Sequence, residues 1–372
     1  MSEHARVSPS SAELLVECPG SVSMRQRYPE PEGEDAKEGT AAHWVALCLA
    51  AGTDLPENSI AFNGVPITKE MIEYGEQFMD LVDASARGSR YYEERIEIPA
   101  VHPTEAWGTV DAAAIDLVSR VIRLYDYKYG HRFVEAYANW QMASYLSGLY
   151  SLTDGGADWK FEATIFQPRN FHRDGPVRVW RPTAAELSEQ VRHLRARAEE
   201  ALSDDPWTRA GPHCLDCSAR HACRTLQAES MQILDRAGDS VPLDLSPPQV
   251  GRELTWLTRA AAVLRARISG LEAQTESVIR SGGSVPGWGI EHTNGRENWT
   301  IPVAELQALS ETFGVPLLKS EPITPAQARK AGIPPALVDK ASARRPGTAK
   351  LVPVNPLDAT KALSQPGAIT DA

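Results

Sequence analysis

The chain is short of long apolar runs, of cysteine and of positive charge, and each shortage excludes something. Its longest apolar stretch, around Ala41–Ala51, carries His43 inside it and falls far below the ~20 residues that a membrane-spanning helix needs. The opening MSEHARVSPSSAELL has no basic start followed by an apolar run, so a secretory signal is not expected there. These two absences lead to the expectation of a soluble, cytoplasmic protein with no membrane partner. Five cysteines occur in 372 residues; in a reducing compartment, with three of them clustered, a structural disulfide is disfavoured. There are 38 Lys+Arg against 49 Asp+Glu, a net charge of −11.

That acidity is uneven. Residues 1–100 carry 8 basic and 18 acidic side chains, so nearly all of the excess sits there. A uniformly acidic protein binds nucleic acid poorly, because affinity rests largely on neutralising phosphates. The remaining 272 residues are close to neutral and hold Arg-rich stretches. DNA therefore stays admissible if the acids lie away from the strand or hold metal ions. Hydrophobic content of 42% and charged content of 23% are ordinary for a globular chain.

The early part reads as helical. Ser8-Pro9-Ser10-Ser11 opens a short helix through Ala12–Val16 that Cys18-Pro19-Gly20 ends,. Tyr28–Lys37 reads as a polar loop, Glu38–Ala51 as a helix stopped by Gly52, and residues 69–84 as a helix with a broad apolar stripe,. The period then changes to two: Arg95–Pro99, Trp107–Ile115 and Val121–Lys128 read as strands, the last two joined by a turn at Asp116–Arg120,. A helix over Glu135–Leu149, a strand over Phe161–Gln167 and a charged helix over Ala184–Leu202 follow. After Ser246-Pro247-Pro248, Val250, Leu254, Leu257, Ala261, Leu264, Ile268 and Leu271 step by three and four, which describes one long amphipathic helix ended by Gly282-Gly283,. Asn294-Gly295 within Trp288–Ile301 signals a hairpin,. The expected layout is a mixed α/β domain over 1–225, a linker over 226–245, a helix and hairpin region over 246–348 and a flexible tail over 349–372.

Two constellations carry chemistry. Cys214, Cys217 and Cys223 follow a C-x2-C-x5-C spacing, and Cys18 is the natural fourth thiol. Such a set fits zinc or an iron–sulfur cluster about equally, with unliganded packing cysteines as the plainer reading; either metal would be structural, tying the start of the α/β core to its end. Cys48, in an apolar helix, reads as a small buried core residue. The second constellation is Asp111 with Asp126 and Lys128. On a strand, residues two apart share a face, so Asp126 and Lys128 project together, and Asp111 on the neighbouring strand can face them. Two adjacent carboxylates repel unless a cation lies between them, and hard oxygen donors favour magnesium or manganese. A lysine there can orient water for attack on a phosphodiester. An ordinary ion pair on an edge strand is the competing reading, and His43, Gln141 and Tyr145 mean little individually.

Taken together and in order, these pieces resemble the RecB-type branch of the PD-(D/E)xK nuclease superfamily, in particular its iron–sulfur members, such as AddB-type nuclease domains and CRISPR-adaptation exonucleases. Gly39–His43 looks like the G-x-x-x-H helix motif, Gly108–Asp111 like the G-x-x-D strand, Asp126-Tyr127-Lys128 like the D/E-x-K strand, and Gln141–Tyr145 like the Q-x-x-x-Y helix. The opening HARVSPSSAELLVECPGS and the stretch Ile165–Arg169 also look like a phage and prophage family of unassigned function. The likeness covers about residues 4–225. It implies a restriction-endonuclease-like α/β core and a metal-dependent DNA exonuclease acting in phage recombination or DNA processing. It further implies that His43, Asp111, Asp126 and the Tyr127 carbonyl ligate Mg2+ or Mn2+, and that Lys128 orients the nucleophilic water. Gln141 and Tyr145 would contact DNA, and Cys18, Cys214, Cys217 and Cys223 would hold a [4Fe–4S] cluster, with zinc as the alternative. Asp126 stands where the family often has Glu, one methylene shorter.

Arg169, Arg173, Arg178 and Arg181, just after the last expected strand, are candidates for the DNA path, while Arg192, Arg195 and Arg197 read as a solvated helix face. Lys340–Lys350 is a phosphate-binding run or a soluble tail. The region after residue 246 is a candidate platform for a partner such as a single-strand annealing protein. The competing functions are a DNA-binding or recombination-partner protein on a nuclease scaffold without catalysis, and a zinc-bearing structural protein.

Overall fold

Five strands form one open sheet in the order β1-β2-β3-β4-β5: β1 (Ser89–Glu97), β2 (Trp107–Asp116), β3 (Val121–Tyr127), β4 (Lys160–Phe166) and β5 (Val177–Trp180). Neighbours are antiparallel except β3 and β4, which run parallel. In this computed structural model the described residues are 5–30, 33–53, 55–57, 59–236 and 244–289. The chain divides into two units, Met1–Pro286 and Gly287–Ala372, and the sheet and its helices belong to the first. The expected hairpin at Asn294-Gly295, the tail and Lys340–Lys350 lie outside the described residues.

The helices are α1 (Ala12–Glu17), α2 (Ser21–Arg27), α3 (Glu34–Ala50), α4 (Lys69–Ser85), α5 (Trp140–Tyr150), α6 (Ala184–Ala201), α7 (Arg224–Arg236) and α8 (Pro247–Arg280). Parallel strands need a crossover, and α5 supplies it between β3 and β4. Alternation along β2 and β3 divides the core into two layers. Ala113, Ile115, Ile122 and Leu124 pack with Leu146 and Leu149 of α5 and Leu194 and Ala198 of α6. Ala112, Ala114, Tyr125 and Tyr127 pack on the other face with Ala42 and Val45 of α3 and Phe78 and Val82 of α4. The fold is thus α/β, a small mixed sheet flanked by helices, as expected for a restriction-endonuclease-like core.

Several boundaries differ from the sequence expectation. Helix α3 begins at Glu34, inside the stretch read as loop; Glu34 and Asp35 in its first turn favour the positive end of the helix dipole. Helix α5 begins only at Trp140, because Ala138 is left-handed (φ 51°) and Asn139 caps the helix by accepting the Met142 N–H at 3.1 Å. Strand β1 starts at Ser89, and β5, which was not expected, adds an edge strand through the segment assigned to the DNA path. Arg178 there is internal, donating to Gln167 Oε1 at 2.6 Å and the Val134 carbonyl at 3.0 Å. Cys48 is half-buried rather than in the core.

Helix α8 follows the predicted span, but its larger apolar residues are not what it buries. Val250, Leu254, Leu257, Ile268 and Leu271 are exposed, whereas Ala260, Val263, Ala266 and Gly270 are buried. The small side chains allow close approach: a Cβ on Gly270 would lie 2.7 Å from the His221 backbone nitrogen.

Candidate active site

The ladder between β2 and β3 ends at Ala112 and Tyr125, and the next two residues in register are Asp111 and Asp126. There a side chain replaces the backbone pairing: Asp111 Oδ2 accepts the Tyr127 N–H at 2.7 Å. The sheet also opens on the other side of Asp111. Tyr92 pairs with Ala112 and Glu94 with Val110, but Glu93, in register with Asp111 between them, is unpaired and left-handed at φ 45°.

On α3, His43 comes to this opening from the neighbouring layer. Its Nδ1 lies 3.1 Å from Asp111 Oδ1 and 3.6 Å from Glu93 Oε1. One potential ligand atom from each of the three residues falls within 4.8 Å of the others, the one such group of His, Cys, Asp or Glu among the described residues. Burial disfavours the imidazolium, but the Asp111 and Glu93 charges outweigh it and raise His43 to about 10. For Asp111, burial favours the neutral acid, yet His43, Lys128 and the Tyr127 N–H hold it below the usual carboxylate range.

Asp126 and Lys128 project to one side of β3, with Lys128 Nζ 3.1 Å from Asp126 Oδ2. Gln141 on α5 closes a triangle with them: its Nε2 donates to Asp126 Oδ1 at 3.0 Å, and its Oε1 accepts from Lys128 Nζ at 3.2 Å. Asp126 is 4% exposed. Its Oδ2 makes no aligned hydrogen bond among the described residues; the lysine contact is an ion pair. Burial pushes the Asp126 acid upward, opposed by Lys128 and reinforced by Asp111. Lys128 is raised because the two aspartates overcome its own burial. The Tyr127 side chain points away, buried against Phe78 with ring centroids 5.2 Å apart.

Of the other sequence candidates, Tyr145 is buried and donates to the Thr109 carbonyl at 2.7 Å, bracing β2 two residues before Asp111. Arg169 donates to Glu38 at 2.9 Å, and its guanidinium lies 4.4 Å from the Tyr129 ring centroid. Sequence reading missed Glu93: three acidic residues crowd YYEERIE, and only the left-handed backbone distinguishes this one.

Cys18, Cys214, Cys217 and Cys223 line one hollow. Cys18 follows α1, Cys214 lies on a short 3-10 turn (Pro212–Asp216), Cys217 stands between that turn and a second one (Ser218–His221), and Cys223 immediately precedes α7. The Arg209 N–H points at Cys18 Sγ, 3.4 Å away. Burial raises Cys18 and Cys217, and Cys214 to about 11. Helix α8 lids this corner, with Arg259 donating to the Ala210 carbonyl at 3.2 Å.

No helix among the described residues is long and apolar enough to cross a membrane. A solved structure from Eubacterium rectale, provisionally described as an exonuclease, is similar at 12% identity, covering 64% of this chain and 90% of that one, with a TM-score of 0.35. A family model described as "Protein of unknown function (DUF2800)" matches residues 4–354, a span that contains every candidate site residue named above, and the chain belongs to that family.

Proposed function

We propose that the chain is a metal-dependent deoxyribonuclease, an exonuclease in preference to an endonuclease, hydrolysing phosphodiester bonds. The observation that carries this is the meeting of Asp111, Asp126 and Lys128 across β2 and β3, beside His43 from α3. The donor set itself suits a hard cation: two carboxylates, Asp111 and Asp126, meet beside the His43 imidazole, with Asp126 leaning on Lys128 Nζ at 3.1 Å, and such oxygen donors favour Mg2+ or Mn2+. His43, Asp111 and Asp126, with the Tyr127 carbonyl, are the residues to hold Mg2+ or Mn2+. When bound, such an ion stabilises charge on a phosphoryl oxygen and lowers the pKa of water.

The protein's own groups do the rest. Lys128, kept protonated by two aspartates, holds a water by donating to it. Gln141 fixes both Lys128 and Asp126, so the ammonium is restrained before substrate arrives, as preorganised catalysis requires. A groove lined by Lys128, Gln141, Arg25, Arg132, Phe133 and Tyr137 leads to this lysine and gives the DNA strand its approach. Phage recombination or DNA processing is the setting that the motif resemblance supports.

For the four thiols we propose a [4Fe–4S] cluster over zinc. The four cysteines line one hollow, a donor set that either centre accepts, and the motif resemblance favours the cluster.

The test is a cleavage assay on end-labelled linear and circular DNA with Mn2+, wild type beside Lys128→Ala. Degradation of linear DNA by the wild type alone is expected. Equal activity in Asp111→Ala and Asp126→Ala would sink the assignment, and DNA binding without cleavage at any metal concentration would favour the binding-protein alternative.

A further inference from the structure

We propose that Glu93 is a protein ligand of the catalytic cation, completing a His43–Glu93–Asp111 seat in which Asp126 is the outlying member. This deepens the nuclease reading and rests on it. His43 Nδ1 faces both carboxylates, at 3.1 Å from Asp111 Oδ1 and 3.6 Å from Glu93 Oε1. Adjacent donors around an octahedral ion with bonds of about 2.1 Å sit about 3 Å apart, a spacing that His43 and Asp111 already have and from which Glu93 stands slightly wider. Asp126, by contrast, is outside the group of mutually close donors and is engaged on Oδ1 by Gln141.

Two further features agree. His43, Glu93 and Asp111 open into a single hollow otherwise walled largely by apolar groups, including Phe78, Met79 and Tyr127, so a cation entering it would meet these three donors together. The left-handed backbone at Glu93 re-aims its side chain while the β1–β2 register continues unchanged on both sides. A strand residue holds such a conformation only where its surroundings impose it.

The competing role for Glu93 is to share the His43 proton without touching an ion. Mn2+ binding, followed by the electron paramagnetic resonance signal of free Mn2+, separates the two for the full chain. Glu93→Gln should weaken Mn2+ binding by more than about a hundredfold, beyond the tenfold to hundredfold that loss of a partner orienting a ligand costs, while the metal-free protein unfolds at the wild-type temperature. Glu93→Gly is the second variant: it frees the strained backbone, so its metal-free form should melt no lower than wild type, yet it should lose Mn2+ equally. Binding by either folded variant within about a hundredfold of wild type would overturn the proposal and leave the nuclease reading standing. A wild-type chain that takes up no Mn2+ would bring down both.

Discussion

Asp111 accepts the backbone N–H of Tyr127 at 2.7 Å with one carboxylate oxygen while the other lies 3.1 Å from His43 Nδ1. A single side chain therefore splices β2 to β3 where their ladder stops, fixes the residue between Asp126 and Lys128, and reaches into the helical layer. The first oxygen sets the geometry of the D-x-K pair, and the second is available to a ligand. This division explains how two like charges tolerate adjacent register positions: Asp111 is stabilised as a carboxylate by His43 and a backbone donor, whereas Asp126 leans on Lys128.

Lys128→Ala is expected to lower cleavage by about a hundredfold to ten-thousandfold, the range for a positioned proton-handling group, with DNA affinity changed far less. Stability should fall only modestly, because Asp126, already raised by burial, can take up a proton when its cation is removed. Single-turnover rates together with a filter-binding measurement check this. A proportional loss in both would mean that the lysine serves binding instead.

Gly108→Ala should disturb the site from a distance. A Cβ there would lie 2.7 Å from Tyr145 Oη and 2.9 Å from Pro9 Cδ, closer than side-chain carbons approach. Overpacking of this kind costs about 1–3 kcal/mol, and the displaced Tyr145 would loosen the Thr109 carbonyl that it holds. Urea unfolding should register the loss. Tyr145→Phe in the same chain, by removing the clashing oxygen, should recover part of it.

How far the sequence discloses this site depends on the kind of relationship. The shared face of Asp126 and Lys128 follows from the two-residue period of a strand, and the Lys128–Asp126 contact at 3.1 Å is the direct consequence. Glu93 is illegible by that rule, since its position depends on one left-handed residue and a distance across strands. Nor does the three-and-four spacing of α8 reveal its buried face. The helix has two stripes, and the large residues that dominate the pattern are the exposed ones, while Ala266 and Gly270 meet the cysteine turns. Small residues carry little weight in an apolar count but decide how closely backbones approach.

Gln141→Leu tests the triangle with Asp126 and Lys128. The substitution keeps the volume of the side chain but removes both hydrogen bonds, so Lys128 loses its restraint and Asp126 Oδ1 its donor. A fall in the maximal rate of about tenfold to a hundredfold is expected, as for partners that orient a site's working groups, with little change in substrate affinity. Gln141→Glu makes the converse test. A third carboxylate should strengthen the hold on Lys128 while repelling Asp126, and slow cleavage despite an intact contact to the lysine. An effect of either substitution on affinity alone would place Gln141 on the strand rather than behind the lysine.

Removal of the thiol-bound centre should act on the architecture before it acts on catalysis. Cys18 follows α1, and the other three cysteines lie along the segment of 3-10 turns that leads into α7 and packs on α8. A centre bound by all four ties sequence positions almost two hundred residues apart and so closes a very long loop, where cross-links are most effective in principle. Cys214→Ser is expected to yield protein lacking iron and the brown colour of an anaerobic wild-type preparation, and to melt at a lower temperature. Limited proteolysis should then cut first near α7 and α8, because those helices rest on the cysteine turns, while the five-stranded sheet with its own two apolar layers stays protected. Zinc in place of iron in the wild type would revise the centre but leave that order of cutting unchanged; simultaneous loss of the sheet would show that the thiols, not the apolar layers, hold the core.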